Sequence, residues 1–196
     1  MRTLLCTVSA ILLILWAASL PAGDFQKGWD AYSSTDYTTA LAEWQALAEA
    51  GDPEACYGMG LLYGNGFGVD MNDEQALKFY GIAAEKGHAE AQYSLGIMHQ
   101  NGWGVPIDEE LGMQWYLQAA DQGVVGAQLA LGRVYALDFS EKYDPVKAYM
   151  WFSLAARQGI SKAKTAQFEY AAQLTSAQIA EAQKLIREWL AKHPRN

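Results

Sequence analysis

Three residues at alternate positions, Asp70, Asn72 and Glu74, could supply oxygen ligands to a calcium ion. A calcium loop that begins in this way also needs Gly at its sixth position and a bidentate Glu at its twelfth. This chain has Gln75 and Gly81 at those two positions. The spacing therefore fits the capping of a helix better than the binding of a cation, and we expect no metal site.

Other patterns that could carry chemistry are equally incomplete. The run Gly60-x-x-x-Gly64-x-Gly66 imitates a dinucleotide-binding turn, but that turn must follow a strand, and a helix is predicted here. The sequence contains no nucleophile elbow, zinc-protease motif or phosphate loop. The three histidines are far apart and follow no ligand spacing: His88, His99 and His193. We therefore predict a protein that is not an enzyme and that has no cofactor.

The dominant pattern is a repeat. Four glycines follow one another at intervals of 36 residues: Gly51, Gly87, Gly123 and Gly159. A fixed period of about 20–50 residues is typical of an array of stacked supersecondary units. Further positions keep the same period: Gly60, Gly96 and Gly132; Tyr80, Tyr116 and Phe152; Asp36, Asn72, Asp108 and Asp144.

Each unit is predicted to be a pair of antiparallel helices. In the first complete unit, apolar residues at helical spacing predict helices over 53–63 and 73–86. Asn72 and its equivalents precede the second helices, where a short polar side chain caps free N–H groups. The period glycines follow the second helices, where a left-handed residue closes the helix. Gly60 and its equivalents allow close approach, and aromatic side chains fill the gaps between the helices.

These elements predict an all-α fold, a right-handed α-solenoid of about four stacked helix pairs and a C-terminal helical cap. Residues 23–50 form an opening pair with a shorter loop, and three repeats follow over 51–86, 87–122 and 123–160. Residues 161–196 form the cap, whose last helix begins with a capping box of Thr175 and Gln178.

The first 22 residues have the layout of a secretory signal peptide, with Arg2, an apolar run over 3–18 and small residues before a cleavage site near Ala22. An exported protein, periplasmic or secreted, is therefore expected. An uncleaved signal would instead anchor the chain in the inner membrane, and only then would it contact a membrane. After cleavage the chain keeps one cysteine, Cys56, so no intramolecular disulfide can form.

The charge is acidic and unevenly distributed. The chain has 22 Asp and Glu against 14 Lys and Arg, a net charge of −8. Residues 24–144 hold 19 acidic and 5 basic residues, whereas residues 145–196 hold 3 and 8. Nucleic-acid binding requires a basic surface, so we expect no nucleic-acid partner. A basic partner, weak head-to-tail self-association and a merely solvated acidic surface all stay open.

The repeated segments resemble a known family, the Sel-1-like repeats, which are relatives of the tetratricopeptide repeat. The resemblance rests on runs such as 89–96, 101–105 and 114–123 and covers about residues 50–160. The opening pair looks more like an ordinary tetratricopeptide unit. The resemblance implies an α-solenoid adaptor, often found in bacterial envelopes, with a concave face that binds peptides.

The resemblance also implies which residues would line a partner-binding groove. Tyr57 and Tyr93 would supply stacking area, Asn65 and Asn101 would bond a peptide backbone, and two glutamates would select charge. The groove set consists of Glu54, Tyr57, Leu61 and Asn65; Glu90, Tyr93, Ile97, Gln100 and Asn101; Leu129 and Arg133. The plainer interpretation is that these are ordinary solvent-facing helix residues.

The predicted function is an exported, non-enzymatic scaffold that binds a protein or peptide partner of unknown identity through this groove. Two alternatives stay open. One is an envelope protein that binds or hydrolyses a small molecule in a repeat-lined pocket, and the other is a membrane-anchored regulatory adaptor.

Overall fold

A computed structural model describes residues 23–137 and 141–194, and the regular structure within these ranges is entirely α-helical. The predicted signal segment, residues 138–140 and the last two residues lie outside them. Within the described ranges, no helix is both long enough and apolar enough to cross a bilayer. The helices are α1 (Phe25–Ser33), α2 (Tyr37–Glu49), α3 (Pro53–Asn65), α4 (Asp73–Glu85), α5 (Ala89–Asn101), α6 (Glu109–Asp121), α7 (Val125–Ala136), α8 (Pro145–Arg157), α9 (Ser161–Ala171) and α10 (Ser176–Lys192).

The second helix of each regular pair begins where the sequence predicts. Asp36, Asn72, Asp108 and Asp144 are the N-caps of α2, α4, α6 and α8, and each side chain accepts a backbone N–H of the first turn. Asn72, for example, accepts from the N–H of Gln75 at 2.9 Å. The predicted capping box of α10 is also present. Asn72, the central residue of the run that resembled a calcium loop, is therefore a helix cap.

The same helices end just before the four glycines that recur every 36 residues. Gly51, Gly87, Gly123 and Gly159 have φ angles of +79°, +89°, +91° and +88°. This region of backbone space carries the smallest penalty for Gly. Each glycine lies one residue beyond the helix C-cap, so it reverses the chain into the next first helix. The predicted role of the four glycines is confirmed.

Within each repeat, a ring from the second helix lies directly on a glycine of the first. A Cβ atom added to Gly96 would lie 2.4 Å from the ring of Tyr116, closer than any side chain can tolerate. The same distance separates the other two pairs, Gly60 with Tyr80 and Gly132 with Phe152. The recurring Gly and aromatic positions therefore set how closely α3 and α4, α5 and α6, and α7 and α8 approach.

Hydrogen bonds of glutamine side chains join neighbouring repeats, and the sequence did not predict them. We call this set of bonds the polar ladder. The Nε2 of Gln122 donates to the carbonyl of Gly87 at 3.0 Å and to Oε1 of Gln92 at 2.8 Å. Gln92 is itself buried and donates to the carbonyl of Ala84 at 3.2 Å. The buried amide of Gln92 thus pairs with a carbonyl near the end of α4, and the exposed Gln122 pairs with the carbonyl of the turn that follows.

The same ladder recurs one repeat later and changes at the first junction. Gln158 donates to the carbonyl of Gly123 at 2.7 Å and to Gln128 at 3.3 Å. At the first junction, Lys86 reaches the carbonyl of Gly51, and the buried Cys56 takes the place of the glutamine. The Cys56 thiol is fully buried, and this burial raises its pKa.

The opening pair is held by one large ring. Trp44 of α2 is fully buried, and its indole lies against both Gly28 of α1 and Gly58 of α3. Its Nε1 donates to the carbonyl of Phe25 at 3.2 Å. The turn between α1 and α2 is short, as predicted, and contains Thr35 with φ of +66°.

The C-terminal pair does not repeat this geometry. Helix α9 packs on α8 as a first helix should, but α10 has its main contact with α8 rather than with α9. The reason lies at residue 168, where the repeat has Gly and this chain has Phe, so a second helix cannot approach closely. Phe168 is 78% exposed. Helix α10 instead places Trp189 against Trp151, with ring centroids 6.3 Å apart.

Candidate partner-binding surface

The predicted groove residues all lie on helices that open a repeat. We name the outward-facing side chains of α3, α5, α7 and α9, together with Trp103 in the turn after α5, the first-helix surface. Six of the predicted residues are exposed, namely Glu54, Asn65, Glu90, Gln100, Asn101 and Arg133. Five are half-buried, namely Tyr57, Leu61, Tyr93, Ile97 and Leu129.

Two carboxylates of this surface meet at a buried histidine. His88 caps α5, because its Nδ1 accepts the N–H of Ala91 at 3.2 Å, and this assigns the proton to Nε2. That Nε2 lies 3.3 Å from Oε2 of Glu54, and Glu90 Oε2 lies 3.7 Å from Nδ1. The His88 side chain is 7% exposed, whereas each glutamate side chain is 58% exposed. The carboxylates of α3 and α5 therefore project side by side into solvent.

Tyr57 contributes to packing between repeats as well as to the surface. Its ring stacks on His88, with centroids 4.4 Å apart, and lies 5.9 Å from the ring of Tyr80. Burial, reinforced by the charge of Glu90, raises the pKa of Tyr57 to about 12. The phenol is therefore a neutral hydrogen-bonding group whose ring is partly committed to the α3–α5 junction.

Tyr93 has the same double role at the next junction. A Cβ added to Gly126 of α7 would lie 2.6 Å from the Tyr93 ring, so the ring rests directly on the α7 backbone. Its centroid lies 5.8 Å from that of Tyr116. The sequence predicted only a stacking role for this residue, although the glycine at position 126, where the other repeats have Glu, was a usable signal.

The amide side chains of the surface are partly used by the protein itself. The Nδ2 groups of Asn65 and Asn101 donate to the carbonyls of Leu61 and Ile97, each at 2.8 Å. Gln100 accepts from the hydroxyl of Tyr116 at 2.8 Å. These bonds hold the amides in fixed positions and leave the carbonyl oxygens of both asparagines as acceptors for a ligand.

A cleft of about 170 Å³ opens beside these residues between α3, α4 and α5. Asn65, Tyr80, Ser94, Ile97, Met98 and Trp103 contribute to its walls. Trp103 is 50% exposed and was not among the predicted site residues.

The exposure of Trp103 depends on a residue in the preceding repeat. In the equivalent loop, Phe67 stacks on Tyr37 with centroids 4.5 Å apart and planes 8° apart. One repeat later, the position of Tyr37 is occupied by Asp73, so this position supplies no ring to cover Trp103. The exposure of Trp103 could have been predicted from the sequence by comparing the equivalent residues Tyr37 and Asp73.

A second cavity, of about 370 Å³, lies between α7 and α9. Leu129 and Phe152 give it apolar walls, and Arg133, Lys162 and Glu169 give it charged ones. Neither cation forms a hydrogen bond or ion pair with any other residue in the described parts of the chain. The structure therefore brings the predicted Leu129 and Arg133 together with a lysine of α9 that was not predicted.

A further cavity, of about 560 Å³, lies away from the predicted groove, beside the end of α10. Trp189 Nε1 donates to Asp121 at 3.0 Å, and His193 stacks on Trp189 and lies 3.8 Å from the same carboxylate oxygen. These contacts fasten α10 to α6. The alternative hypothesis of a small-molecule-binding protein would place its ligand here. Over the described ranges, no group of three or more His, Cys, Asp or Glu is arranged to hold a metal.

Comparison with known proteins places this geometry in a family. The model of the Sel1 repeat matches residues 53–88, 89–124 and 125–160. A Sel1 repeat protein of Oxalobacter formigenes has 28% identity and a TM-score of 0.67, over 71% of this chain and 58% of that one. A protective antigen of uropathogenic Escherichia coli strains, which displays an SLR fold, has 25% identity and a TM-score of 0.52, over 86% of this chain and 45% of that one.

The chain belongs to the Sel1 repeat family, because the matched repeats cover more than half of it. It spans less than two thirds of the length of either similar structure. No curated protein matches the sequence. Sel1 repeat proteins are generally scaffolds for protein–protein interaction, and their fold is typically not enzymatic.

Proposed function

We propose that this Sel1 repeat protein is an exported, non-enzymatic scaffold that holds an extended segment of a partner protein along the first-helix surface. The observation that carries the proposal is the continuous row on α3, α5 and α7, in which half-buried rings and aliphatic side chains alternate with exposed charges and amides. Extended peptides are recognised by this combination of pockets for side chains and polar groups for the backbone.

The Trp103 cleft supports a specific mode of binding. Trp103 and Ile97 offer an apolar recess for one partner side chain. The fixed carbonyl oxygen of Asn101 lies on the same helix and can accept a backbone N–H of the partner. A Trp that is half exposed in a cleft is also the kind of residue that dominates the energy of protein interfaces.

The test is crosslinking in the intact envelope, followed by mass spectrometry of the captured partner. Trp103→Ala combined with Asn101→Ala should reduce capture about tenfold, because one hot-spot side chain is lost. Both residues are exposed, so the fold should be unaffected, whereas Tyr93→Ala would also disturb packing against α7. Met71→Ala with Gln114→Ala, two exposed residues off this surface, is the matched control. Equal capture by both double variants would refute the groove assignment.

Export is proposed on separate grounds, namely the basic Arg2, the apolar run over 3–18 and the small residues before Ala22. The intact mass of the protein recovered from the envelope tests it. A chain beginning at residue 23 indicates a cleaved signal, and a full-length chain in the membrane fraction indicates the anchored adaptor. Recovery of the full-length chain in the cytoplasm alone would contradict export.

A further inference from the structure

We propose that the segment bound by the first-helix surface is dipolar: it carries basic side chains where it crosses α3 and α5, and acidic side chains where it crosses α7 and α9. This inference rests on the proposed function and adds to it the chemistry and the direction of the partner. The basis is the set of charged side chains along this surface that have no counter-charge within the described parts of the chain.

The α3–α5 end of the surface is negative. Glu54 and Glu90 project side by side, and each carboxylate is more than half exposed. Over the described ranges, His88, whose side chain is buried beneath them, is the one residue that forms a side-chain hydrogen bond or ion pair with either carboxylate. Two adjacent carboxylates without a Lys or Arg attract a cation from a partner and repel an anion.

The α7–α9 end is positive. Arg133 and Lys162 line the same cavity, and Glu169 is the one carboxylate among the residues that line it. Leu129 and Phe152 form its apolar walls, which suit the methylene groups of a Glu or Asp side chain. An arginine held at such a site can bind a carboxylate through two parallel hydrogen bonds.

The repeat register shows that the reversal of sign is systematic. The same repeat position is occupied by Glu54 in α3, Glu90 in α5, Gly126 in α7 and Lys162 in α9. From α5 to α9 there are two steps between first helices, each about 10 Å, so the charges lie about 20 Å apart. An extended chain covers that distance in about six residues. A segment bound in the opposite direction would place like charges together at both ends.

The experiment selects ligands from a phage-displayed library of random peptides, each about twelve residues long, on the purified exported protein. Selected peptides should share Lys or Arg at one end and Asp or Glu about six residues away. Their affinities are then measured by fluorescence anisotropy. Binding should be lost to the Trp103→Ala and Asn101→Ala variant, which reports on the surface itself.

Charge reversal tests the assignment of the two ends. Arg133→Glu with Lys162→Glu should weaken these peptides at least about tenfold, and peptides whose acidic residues are exchanged for Lys should regain binding. Lys184→Glu with Arg187→Glu makes the same change of charge on α10 and should leave the affinity unchanged. Circular dichroism melting curves verify that each variant is folded.

The outcomes separate the two proposals. Peptides that depend on Trp103 and Asn101, but show no charge pattern and no response to reversal at Arg133 and Lys162, overturn the dipolar partner and leave the proposed function standing. If no selected peptide depends on the first-helix surface, the proposed function fails and the dipolar partner fails with it.

Discussion

The regular array from α3 to α8 and the C-terminal pair of α9 and α10 occupy successive positions in one solenoid but are stabilised differently. In the array, a ring from each second helix seats on a glycine of the first, and buried glutamines join neighbouring repeats. In the C-terminal pair, position 168 holds an exposed Phe, and α10 lies along α8. The same chain period therefore produces two different kinds of contact.

The difference shows how much depends on one side chain. A glycine in a first helix lets the second helix approach, and the aromatic residue opposite then becomes buried. Where Phe168 replaces the glycine, that approach is blocked, and α10 gains its apolar contact from Trp151 of α8 instead. The regular pairing therefore stops at α9 although helices continue, because α10 packs against α8 instead of against α9.

The largest expected effect is at a glycine of the array. Gly96→Ala should destabilise the protein by about 3 kcal/mol, because the new methyl group would lie 2.4 Å from the Tyr116 ring. Gly81→Ala is the matched control, since nothing lies within 4 Å of a Cβ there, and it should stabilise α4 by about 1 kcal/mol. Phe168→Ala should change stability by less than about 0.5 kcal/mol. Urea unfolding measures the free energy of unfolding of all three variants. An unchanged stability of Gly96→Ala would contradict the claim that the array depends on close contact between this glycine and Tyr116.

The contact that replaces the regular pairing should be next in size. Trp189→Ala removes the ring against Trp151 and the bond to Asp121, a loss of about 2 kcal/mol. Helix α10 should then unfold locally, so that trypsin cleaves about tenfold faster after Arg187, whose side chain is already exposed in the folded protein. Phe168→Ala, also in the C-terminal pair, should leave the cleavage rate unchanged. Equal rates in the Trp189 variant and the parent would show that α10 is held by other contacts.

The polar ladder of the array should contribute less. Gln128 is 1% exposed and bonds the carbonyl of Ala120 at 3.3 Å, so Gln128→Ala leaves buried groups unpaired. We expect a loss of about 1–2 kcal/mol in the free energy of unfolding. Gln114→Ala, an exposed residue of α6, should have no effect and serves as the control. Equal free energies of unfolding for the two variants would show that the polar ladder does not stabilise the array.

The smallest effect is a dependence on pH. Burial raises the pKa of Tyr57 to about 12, against about 10 in an unfolded chain. Because the folded state holds this proton more tightly, the stabilisation is complete below about pH 10 and is lost as the pH rises towards 12. The equivalent position in α9 is Thr165, so the C-terminal pair has no such group at this position. Tyr57→Phe should make the stability fall less steeply over this interval in urea unfolding at each pH.

Much of the fold could be predicted from local sequence. The N-caps at Asn72 and its equivalents, the positive φ at Gly87 and its equivalents, and the capping box of α10 each depend on residues within a few positions of one another. The pairing of Gly96 with Tyr116 was also accessible, because the two positions recur with the same period. Periodicity converts a contact between separate helices into a sequence signal.

The candidate site was predicted less completely. The surface residues were placed on the correct helices, but Tyr57 and Tyr93 were not expected to pack against the next repeat. Trp103, His88 and Lys162 were not included. Their roles depend on identities in a neighbouring repeat, such as Asp73 opposite Trp103, which break the period rather than follow it.

The sequence by itself determined the repeat register, the helix boundaries and the order of the pairs, because caps, turns and periodic apolar faces act over a few residues or at a fixed interval. Only the tertiary structure decided the direction of α10, the exposure of Trp103 and the meeting of Arg133 with Lys162. Each of these depends on residues brought together across the chain, as when Trp189 bonds Asp121 at a separation of 68 positions. Such contacts depend on which surfaces remain exposed after the repeats have stacked, and this cannot be predicted from residues close together in the sequence.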